Sequence, residues 1–176
     1  MPLEYSPGTP QDLFGKKVRV LVAQMTYPDL VNFLLQHHSP EQAEEDLRDI
    51  AQRICKKLLE VWKPKSRTLL KLTTELLGMI WGGDIILKVI QRDELKRPIL
   101  VQFIDKDCKL CKSGEEVLEV KGVHYCSAVS GFVEYLLNYM AQQGTMKLNY
   151  KSADVRTTSS KGNGDKQCIH FCTFTF

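Results

Sequence analysis

The chain has 176 residues, 43% of them hydrophobic, which suits one compact domain with its own core. A formal charge of +3, with Lys and Arg interleaved among Asp and Glu, is too small a bias for a dedicated nucleic-acid binder. No apolar run reaches the roughly 18 residues a bilayer span needs, because LLGMIWGGDIILKVI is broken by Gly82, Gly83 and Asp84, so any membrane contact is expected to be peripheral.

Residues 1–16 read as a flexible arm, since Pro2, Pro7 and Pro10 suit neither a helix interior nor a central strand. No secretory signal is read there. The six cysteines are therefore expected as reduced thiols of a cytoplasmic protein rather than as a disulfide framework. Residues 17–176 read as a single domain. A first helix is expected to end near Gln36, with Pro28 in its first turn and Val18–Gln24 as a separate helical turn or strand. Ser39-Pro40-Glu41-Gln42 is a helix start, with Ser39 as N-cap and Pro40 at the first helical position. Ala43, Leu47, Ile50, Ile54, Leu58 and Val61 follow at spacings of three and four as one stripe, and Pro64 stops the helix. A third helix is expected over Thr68–Trp81, ending at Gly82-Gly83.

The period then changes. Ile85–Gln91 fits either a helical extension or a strand. Ile99–Ile104 is a continuous apolar strand, Asp105–Glu116 a polar loop and Val117–Val120 a short strand. His124–Ala141 is a fourth helix with a small-residue entry, Cys126, Ser127, Ala128, Ser130 and Gly131. Met146–Val155 alternates like a half-buried strand, Lys161–Asp165 is a turn with two glycines, and Cys168–Phe176 is the last strand. The order ααα-ββ-α-ββ does not alternate βαβ. It predicts an α+β fold, with four main helices packed on a mainly antiparallel, twisted sheet of about four strands.

Cys108-Lys109-Leu110-Cys111 has the two-residue gap that lets both sulfurs reach one zinc ion. No second C-x-x-C accompanies it. Partners would come from Cys126 with His124, or from Cys168 with His170 or Cys172. These cysteines equally suit the small buried positions cysteine often takes. No metal or cofactor is assigned on spacing alone. Nor does the sequence hold G-x-S-x-G, H-E-x-x-H or a phosphate-cradling glycine loop. His37-His38 read as favourable charge at a helix C-terminus. Asp84 and Glu134 are candidate buried acids, but a lone carboxylate carries no chemistry. A non-enzymatic role is expected. Val31, Leu34, Leu35, Leu47, Ile50 and Ile54 form a helical pair that serves either as core or, half covered, as a partner surface.

Four features together resemble the α/β small-subunit family of the transport protein particle (TRAPP), the tethering and Rab-activating complex of the secretory pathway. They are PDLVNFLLQ before the charged helix EEDLRDIAQRICKKLLEVW, the helix exit LLGMIWGGD, the helix entry YCSAVSGFVEYLL, and the closing hairpin VRTTSSKGNGDKQCIHFCTF. The resemblance spans roughly residues 18–176. It implies a scaffold that pairs through its first two helices with homologous subunits, as a homodimer or heterodimer. The assembled complex would act on a Rab GTPase in the cytoplasm, peripherally on Golgi or ER–Golgi membranes. One branch of the family carries a palmitoyl chain on a cysteine before the third helix. The matching stretch here, Lys65-Ser66-Arg67-Thr68, has no cysteine, so no lipid attachment is expected there. The same fold is shared by ligand-binding domains of the 4-vinyl-reductase type, whose cysteines near the closing hairpin make a small ligand- or zinc-binding sensor the alternative.

Overall fold

The computed structural model describes residues 26–80, 85–106, 108–113 and 122–176. The expected arm, Val18–Gln24, the glycine exit with Asp84, and the short strand at Val117–Val120 lie outside them. Helix α1 covers residues 26–37, α2 Pro40–Val61, α3 Leu69–Ile80 and α4 Ser127–Gln142. Strands β1 (Ile85–Arg92), β2 (Pro98–Asp105), β3 (Ser152–Ser159) and β4 (Cys168–Thr175) form one sheet of order β1-β2-β4-β3. Each neighbouring pair is antiparallel. The α+β class and the mainly antiparallel four-stranded sheet are those expected.

Helix α2 starts where its cap residues dictate: the Ser39 hydroxyl accepts a hydrogen bond from Gln42 N at 3.3 Å, and Pro40 opens the helix. Its buried face differs from the expected stripe. Ala43, Leu47, Ala51, Cys55 and Leu59 point inward, while Ile54 is 52% and Val61 86% exposed. The reason is closeness of approach. A Cβ built on Gly131 of α4 would lie 2.3 Å from the Arg48 carbonyl oxygen and 2.8 Å from its Cα. At such separation α2 turns small residues such as Ala51 inward and leaves bulky Ile54 outside.

Helix α4 packs against both α2 and strand β3. Arg48, 3% exposed, reaches from α2 to Glu134 of α4 at 2.5 Å and to Glu45 at 2.7 Å. Glu134 also accepts from Gln52 Nε2 at 2.8 Å and from the backbone N–H of Val155 at 2.7 Å. Asn138 pairs with both backbone groups of Ala153, donating to its carbonyl at 2.8 Å and accepting from its N–H at 2.7 Å. The outer rim of edge strand β3 is thus covered by α4 side chains instead of being left for another strand. Glu134 joins two helices and a strand; its role is architectural.

Two strand readings change. Ile85–Gln91, left open between helix and strand, is strand β1. The expected strand from Met146 begins only at Ser152. Residues 146–151 are tied down as a loop, with Lys147 N bonded to Arg67 O at 3.0 Å and the Tyr150 hydroxyl to Leu137 O at 2.9 Å. Met146, Leu148 and Tyr150 turn toward the core from this loop, which produces a strand-like alternation without a ladder.

The Gly131 contact yields a paired prediction. Gly131→Ala should cost about 2–3 kcal/mol, because the atoms in its way are backbone and cannot swing aside. Gly78→Ala in α3, with nothing within 4 Å of the new methyl, should be neutral or stabilise by up to about 1 kcal/mol. Urea unfolding midpoints of the two variants, measured side by side, check both.

Candidate metal centre

Four of the six cysteines converge. The sulfurs of Cys108, Cys111, Cys126 and Cys168 all lie within 4.8 Å of one another, and all four residues are buried. Each comes from a different local device. Cys168 opens β4, paired with Asp105 at the end of β2, so the residues that follow β2 begin beside it. Cys108 lies just beyond β2, and the 3-10 turn Leu110–Ser113 holds Cys111. Cys126 is the N-cap of α4. The Cys111 and Cys168 sulfurs are 3.4 Å apart.

The closing turn clasps this cluster. Ser160 Oγ lies 3.5 Å from Cys111 Sγ, and the Lys161 backbone N–H donates to Cys168 Sγ at 3.4 Å. Asn163 accepts from Tyr125 N at 2.8 Å and donates to Val123 O at 2.6 Å, which pins the segment leading into Cys126. Gly162 is required for this closeness, since a Cβ there would sit 2.8 Å from the Tyr125 side chain. Gly164 supplies a φ of +92° to end the turn. From the other side, the Tyr27 hydroxyl of α1 donates to the Tyr125 carbonyl at 2.6 Å.

The electrostatics of the four thiols are collective. Hydrogen bonds from Cys108, then from Cys126 and Cys168, hold the Cys111 thiol far below its ordinary range. The same sharing with Cys111 pushes Cys108 up, and burial pushes Cys126 up. The sulfurs thus share S–H donors among themselves. A divalent cation replaces those donors and draws off their protons.

The donor set fits zinc. At a Zn–S distance of about 2.3 Å, tetrahedral geometry separates the sulfurs by about 3.8 Å, within the spread seen here. Four thiolates leave no open position, the arrangement of a structural rather than a catalytic ion. The backbone N–H on Cys168 and the hydroxyl beside Cys111 are outer-shell partners of the kind that orient metal-bound sulfur. Zinc bound here would tie together the loop after β2, the start of α4 and the start of β4.

The remaining candidates fall elsewhere. Cys172, buried on the face it shares with Cys168, and Cys55 in α2 are not members of the cluster. Burial pushes both of their thiols up, as expected of small core residues. His124 pairs with Glu44 at 3.3 Å, and that hydrogen bond raises its pKa. His170 is fully buried and held neutral, its pKa pushed down to about 4 by desolvation. Its Nδ1 lies 3.0 Å from Thr157 Oγ1, which is 2.7 Å from Ser130 Oγ. His37 bonds the Phe33 carbonyl at 2.8 Å at the end of α1. Of the pairing residues, Val31, Leu34 and Leu47 are buried in the chain's own core. Leu35 and Ile50 are partly covered against it, and Ile54 is exposed. The residues that the sequence did not flag, Ser160, Asn163 and Arg48, act across 38–106 positions, where local spacing carries no signal.

No family model matches the sequence, and no curated protein sequence matches it. Solved structures do match it in fold. The crystal structure of a trafficking protein particle complex subunit 3 from Naegleria fowleri, covalently bound to palmitic acid, aligns with a TM-score of 0.63 at 12% identity, covering 92% of this chain and 97% of that one. The phenol-responsive sensory domain of the transcription activator PoxR, solved with phenol, aligns at 0.54 and 10% identity, covering 86% of this chain and 74% of that one. The chain therefore has a TRAPP-like fold, one that also resembles a ligand-sensing domain; at these identities the likeness is one of architecture.

Elemental analysis of protein purified without added chelator should find about one zinc per chain. Cys126→Ser and Cys168→Ser should each lose most of it, whereas Cys172→Ser should keep it.

Proposed function

We propose that this chain is a non-enzymatic scaffold subunit of the TRAPP type, closed by a four-thiol zinc centre and paired through α1 and α2 with a homologous subunit. The observation that carries this reading is the extent of the likeness, which takes in 92% of this chain and 97% of a trafficking protein particle subunit. Such a subunit works by geometry. It presents a fixed surface to its neighbours, and a Rab GTPase engages the assembled complex rather than one chain. The setting in this reading is the cytoplasmic side of ER–Golgi membranes.

The pairing surface can be narrowed. Val31, Leu34 and Leu47 are occupied within the chain, so the contact falls to Leu35, Ile50 and Ile54, together with Phe33, 56% exposed and stacked on His37. A stable pair needs about 800 Å² per partner, so this face would extend over the polar residues around it. Ile54→Asp should leave the circular dichroism spectrum unchanged and weaken association at least about tenfold by light scattering or co-purification, as expected for a charge forced into an apolar contact. Leu47→Asp, by contrast, should unfold the chain, because Leu47 is 1% exposed. Undiminished pairing by Ile54→Asp would remove this face from the reading.

The alternative is a sensor domain, supported by the likeness to the phenol-responsive domain and by the thiol cluster. Native mass spectrometry of protein purified from cells separates the two. A retained small organic ligand without homologous partners favours the sensor, and recovery with small tethering subunits favours the scaffold.

A further inference from the structure

The four cysteines of the cluster are not equivalent. Cys108, Cys126 and Cys168 are each 0% exposed, whereas Cys111 is 6% exposed, so a small solute meets the cluster first at Cys111. The sulfur beside it is that of Cys168, in non-bonded contact at 3.4 Å. A disulfide needs about 2 Å, so a closure of about 1.4 Å would join the two. Their supports differ in stiffness. Cys168 is held in the sheet opposite Asp105. Cys111 sits on a 3-10 turn of four residues, where a small shift breaks no strand ladder.

A bound zinc ion would prepare this pair for oxidation. Its ligands are thiolates, and the thiolate is the form that peroxides attack. The ion would thus keep two nucleophilic sulfurs in contact, one of them open to solvent. Joining those sulfurs takes two of its four donors away. Cys108 and Cys126 alone are too few for a structural zinc site.

We propose that the cluster is a redox switch, in which a peroxide oxidises Cys111 and Cys168 to a disulfide and so expels the ion. The proposal rests on the zinc centre described above. In the first step the Cys111 thiolate attacks one peroxide oxygen. The O–O bond breaks, the sulfur becomes a sulfenic acid, and the departing hydroxide takes a proton from solvent to become water. The Cys168 thiolate then attacks the Cys111 sulfur. The S–S bond forms, the S–O bond breaks, and a second hydroxide leaves as water with another solvent proton. Two thiolates have lost two electrons, and the peroxide is reduced to two waters. The new bond keeps the loop after β2 on β4, which the Asp105–Cys168 pairing already joins. It lets go of Cys126, the N-cap of α4, whose side chain makes no capping hydrogen bond. Oxidation therefore spares the sheet and loosens the start of the helix that packs on α2.

The test treats the zinc-loaded full chain with increasing hydrogen peroxide. Zinc release is read with a chromogenic chelator, and disulfides are mapped by alkylation, digestion and mass spectrometry. One zinc should leave per disulfide formed, with two of the six thiols lost and Cys111 linked to Cys168. Dithiothreitol and added zinc should restore the starting state. Cys111→His keeps four donors, in the three-thiolate, one-imidazole set that zinc also accepts. It should release its ion at least about tenfold more slowly at the same peroxide concentration, because imidazole forms no disulfide. Cys172→Ser, outside the cluster, should behave as the parent does. Where Cys111→His fails to hold zinc, the disulfide map of the parent decides. A linkage of Cys108 to Cys111, or release from Cys111→His as fast as from the parent, overturns the proposal. Zinc retained throughout peroxide treatment overturns the switch alone, whereas a chain purified without zinc overturns the metal centre itself.

Discussion

The architecture rests on the absence of one side chain. At Gly131 the backbone of α4 comes so near the backbone of α2 at Arg48 that a single added carbon would overlap it. This approach lets the Arg48 guanidinium, buried and otherwise ruinously desolvated, reach the Glu134 carboxylate. Glu134 in turn holds Val155 N, and Asn138 holds Ala153, so the position of edge strand β3 follows from that of α4. Strand β3 leads into the turn at Ser160–Gly164, which clasps the entry to α4. The small-residue start of α4 is therefore one link in a closed circuit: helix against helix, helix along strand, strand into turn, and turn back onto the helix.

The same circuit places the sulfurs. Cys126 caps α4 at the point the clasp secures, and Cys168 begins the strand that the turn delivers. Local polarity is assigned by task. Arg48 is paired, His170 is kept neutral by burial, and the neighbouring thiols hold the Cys111 pKa below its ordinary range. An ion there would substitute coordination bonds for weak S–H contacts.

Much of the fold was legible in the sequence, because helices announce themselves locally. Ser39-Pro40 and the period of α2 needed only neighbouring residues, and the element order gave the class. The failures were those of tertiary context. The face that α2 buries was misplaced by part of a turn, since the nearness of Gly131, 83 residues further on, favours Ala51 over Ile54. Met146–Tyr150 imitated a strand because a loop pinned to the core can alternate as a strand does. Of the thiol cluster, half was visible: Cys108 and Cys111 show the spacing of zinc ligands. Cys126 and Cys168 carry none, because a helix cap and a sheet register bring them in. Spacing equally could not separate them from Cys172, which the sheet places further along the same face.

The place of the last strand has a consequence for the chain's far end. Strand β4 lies between β2 and β3 and sets the register of both, so among the described strands the hairpin β1–β2 joins β3 through β4 alone. A chain cut short before Cys168 would therefore lose the seam of its sheet and the fourth sulfur of the cluster in one stroke.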